Sequence, residues 1–513
     1  MNRMVLAIAL LGLLPPAQDA KQWAEALGYY QRNSGSREAA ERRMAVDKLG
    51  EATTEKHDKT CWQLVLAMLR AEFAKEGPNG RTEEKVSGDV IEACLGAFRK
   101  ISGKDALAEM LKLAKAKAEN PRIRAYVIWG LSDRGDLKEL TELFEDKSPI
   151  IQIAVMDCLA DRAEASSTPL FLRVLSENRT WEVKWLALKG LEKGADEKAI
   201  EPLIENLARC KPDEGRLKDQ YIRVLKKLLD SDLETDDVNT WKSALIAKKS
   251  GTEMAPGATV VEPTSFYGLK TRSTRLVFLL DRTGSMEAPG SEPERPPFKL
   301  PPEATGSEKE PPQEKAARDE CAKIVKRWQA LTAKTRIDVA KKEIILTIFV
   351  LRPSVHFNVV WYESIPSPWK QELVPATWTN KLDAIQTADR VIAAGNTNIW
   401  DAVEIAYKML EAAQAKQAVS PVVLDRRANY ATSTNGVDTI FLMTDGKPNQ
   451  GRIGTPDEIL SELKKVNRLR KVTIHTICVG DIPPTGPTKD SPDPVFLKKM
   501  ADQNFGDFVH IKK

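Results

Sequence analysis

Two apolar segments of this sequence end on aspartate, and hydroxyl side chains lie close to both carboxylates. The segment Arg275–Asp281 is followed by Thr283 and Ser285, and the segment 439–445 ends on Thr444 and Asp445. Carboxylate and hydroxyl oxygens are hard donors, and Mg²⁺ prefers an octahedron of such oxygens in which several waters are retained. A single aspartate in this position is an ordinary turn residue. Cation chemistry therefore depends on whether the two segments meet in the fold.

The elements around these segments predict that they do meet. Apolar runs typical of buried strands occur at 275–281, 357–362, 439–445, 472–479 and 507–511. Amphipathic runs typical of helices lie between them, at 338–349, 399–413, 456–469 and 495–501. Alternating strands and helices predict a doubly wound α/β domain, Rossmann-like, whose largely parallel sheet is covered on both faces. Such sheets place their sites at the carboxyl ends of the strands, where the two aspartates stand.

Three motifs of this domain resemble those of the von Willebrand factor type A family, in the same order along residues 269–513. The first resembles that family's D-x-S-x-S signature, the second its threonine-bearing loop and the third its aspartate-bearing loop. They read Asp281-Arg282-Thr283-Gly284-Ser285, Gly395-Asn396-Thr397-Asn398 and Thr444-Asp445-Gly446. The resemblance implies a von Willebrand factor type A domain with a metal-ion-dependent adhesion site.

The resemblance also implies the ligands of that site. Thr283, Ser285 and Thr397 would offer hydroxyl groups, while Asp281 and Asp445 would contribute carboxylates, largely through bound water. The implied ion is Mg²⁺, with Mn²⁺ or Ca²⁺ as alternatives. The sequence departs from the family pattern at two positions. Thr283 stands where serine is usual, which keeps the oxygen. Asn396 stands where glycine is common, and asparagine tolerates left-handed backbone well.

An insert at 286–315, rich in proline and glutamate, directly follows the first motif. This composition buries no core and predicts an extended, disordered loop at the rim of the site. Its glutamates are tethered a few residues from Ser285, so they are candidates to compete with outside ligands for the cation. The alternative is a passive surface loop.

The first half of the chain predicts an all-α region of helical repeats over residues 21–250. Three segments that start near residues 120, 148 and 180 place apolar side chains in register, as at Ile123, Ile151 and Val183. This stripe is one face of a helix, and each such helix is followed by a turn and a second apolar helix. The unit resembles a HEAT repeat and implies a solenoid that stacks helix pairs. Such a solenoid is either a binding surface or a spacer.

The ends of this region carry their own signals. Residues 1–20 combine an arginine, a short apolar run and small residues, which is typical of a secretory signal peptide. The run is shorter than the roughly 20 apolar residues that span a bilayer, so we expect an exported protein whose mature chain has no membrane span. Residues 251–268 begin with a mixture of Gly, Pro, Thr and Ala, which predicts a linker between the two domains.

Composition excludes several classes of function. The formal net charge is +4 over 513 residues, which gives little electrostatic drive toward nucleic acid. Four histidines without metal-ligand spacing argue against a zinc hydrolase. The six cysteines are widely separated, so a short disulfide framework is not expected.

Three hypotheses for function remain. The leading one is a non-enzymatic protein for interaction or adhesion, in which a partner's Asp or Glu completes the coordination of the cation. The second is an assembly scaffold, in which the solenoid binds the main partner and the metal site is structural or regulatory. A metal-dependent hydrolase ranks last, because no histidine or glutamate lies beside Asp281, Thr397 or Asp445 in the sequence.

Overall fold

The computed structural model describes residues 16–75, 87–134, 137–251, 263–292, 310–410, 436–481 and 491–512. The chain divides into two compact units, residues Met1–Gly194 and Ala195–Lys513. Within the described residues, no helix is both long and apolar enough to cross a membrane. Most of the predicted signal peptide, 1–15, lies outside the described residues, and the first described helix begins at Pro16.

The first unit is built of helices that stack side by side. They are α1 (Pro16–Asn33), α2 (Ala39–Ala52), α3 (Asp58–Ala74), α4 (Gly88–Lys100), α5 (Lys104–Lys115), α6 (Pro121–Gly130), α7 (Leu137–Leu143), α8 (Pro149–Arg162), α9 (Thr168–Ser176) and α10 (Trp181–Gly194). From α2 to α10, each even-numbered helix packs on the next even-numbered one, and each odd-numbered helix packs on the even-numbered helix that follows it. Helix pairs thus stack along the chain, while the finer HEAT designation stays a prediction.

The predicted repeat positions explain this packing. Ile123, Ile151 and Val183 occupy equivalent places in α6, α8 and α10, and all three are buried. Pro121 and Pro149 begin their helices, where the missing N–H group removes no helical hydrogen bond. The apolar stripe of each helix is therefore covered by its neighbours in the stack.

The second unit begins with three further helices, α11 (Ile200–Ala208), α12 (Gly215–Leu229) and α13 (Val238–Ser250). The sequence pattern had placed them in the repeat region, with a boundary at residue 250, whereas the compact units divide after Gly194. Contacts to the α/β part account for this difference. The carboxylate of Asp219 accepts hydrogen bonds from the Thr271 hydroxyl (2.8 Å) and the Arg272 amide (2.7 Å).

A parallel sheet forms the centre of the second unit. Its strands are β3 (Arg275–Asp281), β4 (His356–Tyr362), β5 (Ser367–Pro368), β6 (Val374–Pro375), β7 (Thr439–Thr444), β8 (Thr473–Val479) and β9 (Phe508–Ile511). The order is β5-β4-β3-β7-β8-β9, in which β3, β4, β7, β8 and β9 run parallel. The short strands β5 and β6 both pair antiparallel with β4. The prediction of a largely parallel sheet is confirmed within the described residues.

Helices cover both faces of this sheet. They are α14 (Pro312–Ala330), α15 (Arg336–Val350), α16 (Trp378–Asp389), α17 (Ile399–Lys408), α18 (Pro456–Arg470) and α19 (Pro494–Gln503). Helices α14–α16 share one apolar core with Phe278 of β3, and α17–α19 share the other with Leu279. Adjacent residues of a strand point to opposite faces, so these two cores establish the doubly wound arrangement.

Two predicted boundaries differ from the structure. Residues 264–266 were assigned to the linker 251–268 but form strand β1 (Thr264–Phe266), which pairs with β2 (Leu269–Thr271). Phe266 is fully buried and its ring lies 5.2 Å from that of Phe278, which explains why this segment joins the fold. Residues 252–262 of the linker lie outside the described residues.

Both described ends of the predicted insert 286–315 are ordered parts of the fold. A 3-10 turn, Gly284–Glu287, continues into the first residues of the insert, and helix α14 begins at Pro312. Residues 293–309, the central part of the insert, lie outside the described residues. The predicted helix 399–413 ends at Lys408, and residues 411–435 are likewise not described.

Candidate metal centre

Asp281 is the last residue of β3 and lies at the carboxyl edge of the sheet, completely buried. Its Oδ1 accepts a hydrogen bond from the amide of Thr283 (2.8 Å), and its Oδ2 accepts one from the hydroxyl of Thr444 (2.6 Å). Because β3 and β7 pair in parallel with Leu280 opposite Met443, the next residue of each strand, Asp281 and Thr444, reaches the same place. The sheet register therefore joins the first and third motifs.

A chain of hydroxyl groups connects the first motif to the second carboxylate. Thr283 Oγ1 lies 3.0 Å from Ser285 Oγ, which in turn donates to Asp445 Oδ1 at 2.7 Å. Asp445 is completely buried directly beyond the end of β7. Four of the five predicted ligands thus belong to one hydrogen-bonded group.

The fifth predicted ligand, Thr397, lies beside the loop that carries Asp445. Its Oγ1 is 3.2 Å from the point where a Cβ on Gly446 would stand. Its amide donates to Asn449 Oδ1 (2.9 Å), and its carbonyl accepts from the Asn449 amide (3.0 Å). Asn398 then caps helix α17 by accepting from the amide of Asp401. The second motif is thereby held against the third.

A guanidinium group that the sequence analysis did not single out also reaches this site. Arg336, the first residue of α15, donates from Nη1 to Asp445 Oδ2 at 2.8 Å. Asp445 therefore has a hydroxyl donor on one oxygen and a cation on the other. The local sequence offered no signal for this contact, because 109 positions separate the two residues.

The two carboxylates interact unfavourably through the buried interior. Burial, together with the nearby charge of Asp445, raises the pKa of Asp281 from 3.8 to about 7. Burial also raises the pKa of Asp445, while hydrogen bonds from Ser285 and Arg336 act in the opposite direction. Loss of hydration disfavours the charged form of a carboxyl group, and a second negative charge nearby adds to this effect. A cation placed between these groups would relieve both costs.

A glutamate that is distant from the second motif in sequence lies near it in the structure. Glu363, which follows β4, pairs with Arg282 of the first motif at 2.9 Å. Its carboxylate lies against Gly395, where a Cβ atom would collide with Oε2. Gly395 has φ +76°, which glycine adopts at little cost. Beside this ion pair, the amide of Gly284 donates to the carbonyl of Gly395 (3.2 Å), which joins the first and second motifs directly.

The donor set fits a hard divalent cation. Three hydroxyls and two carboxylates meet at one edge of the sheet, and these are oxygen ligands of the kind that Mg²⁺ takes together with water. In the described part of the chain, no cluster of three or more His, Cys, Asp and Glu side chains suits a metal ion. A site with only two carboxylates falls below that number and depends on its hydroxyls. Softer ions that prefer nitrogen or sulfur have no matching donors among these five residues.

Three of the four described glutamates of the insert have partners away from the metal centre, whereas Glu287 is exposed two residues after Ser285. Glu292 accepts from the ammonium of Lys342 at 2.8 Å, and Glu310 pairs with Arg318 at 2.8 Å. Glu314 accepts from the amide of Trp378 at 2.6 Å, at the start of α16. These contacts fasten the two ends of the insert to the α/β core. The glutamates between them, at 294, 303 and 308, lie outside the described residues, so competition by the insert stays a prediction.

Comparison with known proteins gives partial matches. No family model matches the chain. Two curated relatives are inter-alpha-trypsin inhibitor heavy chains: heavy chain 4 of Mus musculus is 30% identical over 118 residues, and heavy chain H4 of Bos taurus is 28% identical over 174 residues. These matches cover 23% and 33% of this chain, and only 11% and 16% of the relatives' own length.

Among solved structures, a von Willebrand factor type A protein from Catenulispora acidiphila matches 47% of this chain and 39% of its own, with 15% sequence identity and a TM-score of 0.26. Von Willebrand factor type A proteins are thus among those to which this chain is similar. At such a TM-score the fold assignment rests on the strand order and helix layers described above.

Proposed function

We propose that this protein binds a divalent cation at the carboxyl edge of its sheet, through Asp281, Thr283, Ser285, Thr397 and Asp445. The observation that carries the proposal is the hydrogen-bonded group Thr283–Ser285–Asp445, closed onto Asp281 by Thr444. It brings two buried carboxylates and several hydroxyls to one point. The two carboxylates repel each other there, so a bound cation would stabilise the site. Mg²⁺ is the ion we propose, and Mn²⁺ and Ca²⁺ are the alternatives.

The role of this site is recognition of an acidic partner. Neutral hydroxyl ligands leave a divalent ion much of its charge, so the ion, when bound, attracts an Asp or Glu side chain of another protein. The protein's own residues orient the oxygens, since Asp281 and Thr397 are both held by backbone hydrogen bonds. We propose a non-enzymatic interaction or adhesion protein. Its export rests on the apolar N-terminal run of the sequence.

The scaffold hypothesis remains the second candidate. It is favoured by the stacked helices of the first unit, whose repeated packing is typical of proteins that present a long binding surface. In that case the main partner binds residues 16–194 and the metal site serves stability or regulation.

Metal binding is tested directly by titrating the full chain with MgCl₂ in a calorimeter, beside an Asp281→Asn variant. We expect saturable binding to the wild type and none to the variant. Absence of binding to the wild type by Mg²⁺, Mn²⁺ and Ca²⁺ would overturn the proposal.

The two roles are separated by affinity capture from an envelope extract, with Mg²⁺ or with chelator. Capture that chelator and Asp281→Asn both abolish supports recognition through the ion. Capture that survives both treatments supports the scaffold.

A further inference from the structure

Arg336 is fixed so that its guanidinium stays on Asp445. Its backbone amide donates to the carbonyl of Ala288 at 2.9 Å, just beyond the first motif. Its side chain lies against Gly480, which has φ +97° and where any Cβ would collide with the guanidinium. The side chain is 13% exposed, against 0% for Asp445. The backbone hydrogen bond to Ala288, the close contact with Gly480 and the ion pair with Asp445 together restrict the conformations of this side chain.

The position of Arg336 changes the charge of the site. Asp281 and Asp445, both ionised, carry a charge of −2, and the guanidinium reduces it to −1. A divalent ion would then leave the site at +1 rather than neutral. Arginine stays protonated in proteins, so this charge is permanent. A positive group a few ångströms from an incoming cation opposes its binding, and screening is weak in a buried site.

We infer that Arg336 is a built-in counter-cation that lowers the affinity of the site for divalent ions and stabilises Asp445 in their absence. This inference rests on the proposed cation site and identifies a residue that tunes it. In the metal-free protein, Arg336 supplies part of the positive charge that a metal ion would supply. We therefore expect the site to fold without metal. When an ion is bound, the same charge adds to the attraction of the site for an anionic partner.

The test compares the full-length wild type with two neutral variants, Arg336→Gln and Arg336→Met, and with the charge-conserving control Arg336→Lys. Magnesium affinity is measured by calorimetry, and thermal melting is followed in chelator. We expect the neutral variants to bind Mg²⁺ at least tenfold more tightly, or about 1.4 kcal/mol, and to melt at lower temperature without metal. Arg336→Lys should stay within threefold of the wild-type affinity.

The outcomes separate this inference from the proposed function. Saturable binding by the wild type with equal or weaker binding by both neutral variants overturns the role of Arg336 and leaves the metal site standing. Tighter binding by either neutral variant supports the inference. Binding by these variants alone also supports the role of Arg336, but it overturns the proposal that the wild type binds the ion. Absence of binding in all four proteins overturns the metal site and the inference together. Because two neutral variants of different polarity are used, failure of one to fold leaves the other for the comparison.

Discussion

Asp281 ends β3 and Asp445 directly follows the neighbouring strand β7, yet the partners of the two carboxylates differ in charge. Asp445 pairs with the guanidinium of Arg336 at 2.8 Å, whereas Asp281 is held by the amide of Thr283 and the hydroxyl of Thr444. Both carboxylates are completely buried. In the absence of metal, the free-energy cost of a buried negative charge therefore falls mainly on Asp281, because Asp445 already has the positive charge of Arg336 beside it.

The first prediction follows from this asymmetry. In chelator, Asp281→Asn should match or exceed the wild type in free energy of unfolding, because one of two repelling charges is removed. Asp445→Asn should lower it by about 1–3 kcal/mol, because Arg336 loses its ionic partner. Denaturant titration of the two variants gives both values. Equal losses in the two variants would mean that Arg336 does not distinguish the carboxylates.

The second prediction concerns pH. The pKa of Asp281 is about 7 in the folded protein and 3.8 ordinarily, so the folded state retains its proton more strongly. The protonated Asp281 side chain therefore contributes its full share to the free energy of unfolding below about pH 4. This contribution is lost as the pH rises through 7. Without metal, the advantage of Asp281→Asn over the wild type should therefore grow between pH 4 and pH 7.

Saturating Mg²⁺ should reverse this pH effect, because an ion favours the charged carboxylate. A ligand at about 100 times its dissociation constant adds roughly 2.7 kcal/mol to the folded state. Denaturant midpoints at several pH values, with chelator and with Mg²⁺, measure both effects. A pH-independent difference between the wild type and Asp281→Asn in chelator would contradict the assignment.

The third prediction concerns Gly395. An alanine here meets the carboxylate of Glu363 and must adopt φ +76°, which costs roughly 1–3 kcal/mol. Gly395→Ala should disturb the pair of Glu363 with Arg282 and displace Thr397, so Mg²⁺ binding should weaken along with stability. Gly284→Ala is the matched control. Its Cβ would meet only a carbonyl oxygen, at 3.9 Å, and we expect wild-type stability from it.

The fourth prediction concerns acid stability away from the metal site. His475 is buried in β8, and its pKa is lowered to about 4, mainly by burial. The negative charge of Asp507 acts in the opposite direction, and the positive charges of Arg223 and Arg216 lower the pKa further. The unfolded chain takes up a proton near pH 6.5 but the folded protein does not, so stability should fall between pH 6.5 and pH 4, by about 3 kcal/mol.

His475→Asn tests this effect, because an amide oxygen can still accept from the Asp507 amide, as His475 Nδ1 does at 3.0 Å. The variant should lose part of the acid sensitivity while it keeps its fold at pH 8. Unfolding free energies of the two proteins at pH 8 and pH 5 provide the comparison. An unchanged difference between these pH values would show that His475 is not responsible.

The fifth prediction concerns the attachment of α12 to the α/β core within the second unit. Asp219→Ala removes the carboxylate that accepts from the Arg272 amide and pairs with its buried guanidinium, while Asp236 remains as an ion-pair partner at 3.7 Å. We expect a loss of roughly 1–3 kcal/mol. The exposed Asp232 on the segment after α12 offers a control, since Asp232→Ala should change stability by less than about 0.5 kcal/mol. Equal and small shifts in melting temperature for the two variants would show that Asp219 does not stabilise the packing of α12 on the α/β core.

Much of the fold of the second unit could be predicted from local sequence patterns. The strand Arg275–Asp281 was predicted to the residue, and the carboxyl-edge position of Asp281 and Asp445 followed from the parallel sheet. These predictions depend on apolar periodicity and on short motifs, which are visible within a dozen residues. The roles of the five predicted ligands as metal ligands stay predictions.

Contacts between distant segments were not predictable in this way. Arg336 and Glu363 lie far from the motifs in sequence, and a charged residue at the start of a helix or after a strand looks like any solvated one. The helices α11–α13 have the same apolar periodicity as the repeats before them. Only their contacts, such as that of Asp219 with Arg272, assign them to the second unit.

The hydrogen bond from Thr444 to Asp281 joins residues 163 positions apart, and this separation has a consequence for folding kinetics. Pairing over such distances is slow, because a long loop must close first. The metal centre is therefore complete only after β3 and β7 have paired, late in the folding of the chain. Interactions that form after the transition state slow unfolding rather than speed folding. Bound cation should consequently prolong the lifetime of the folded protein and leave its refolding rate nearly unchanged.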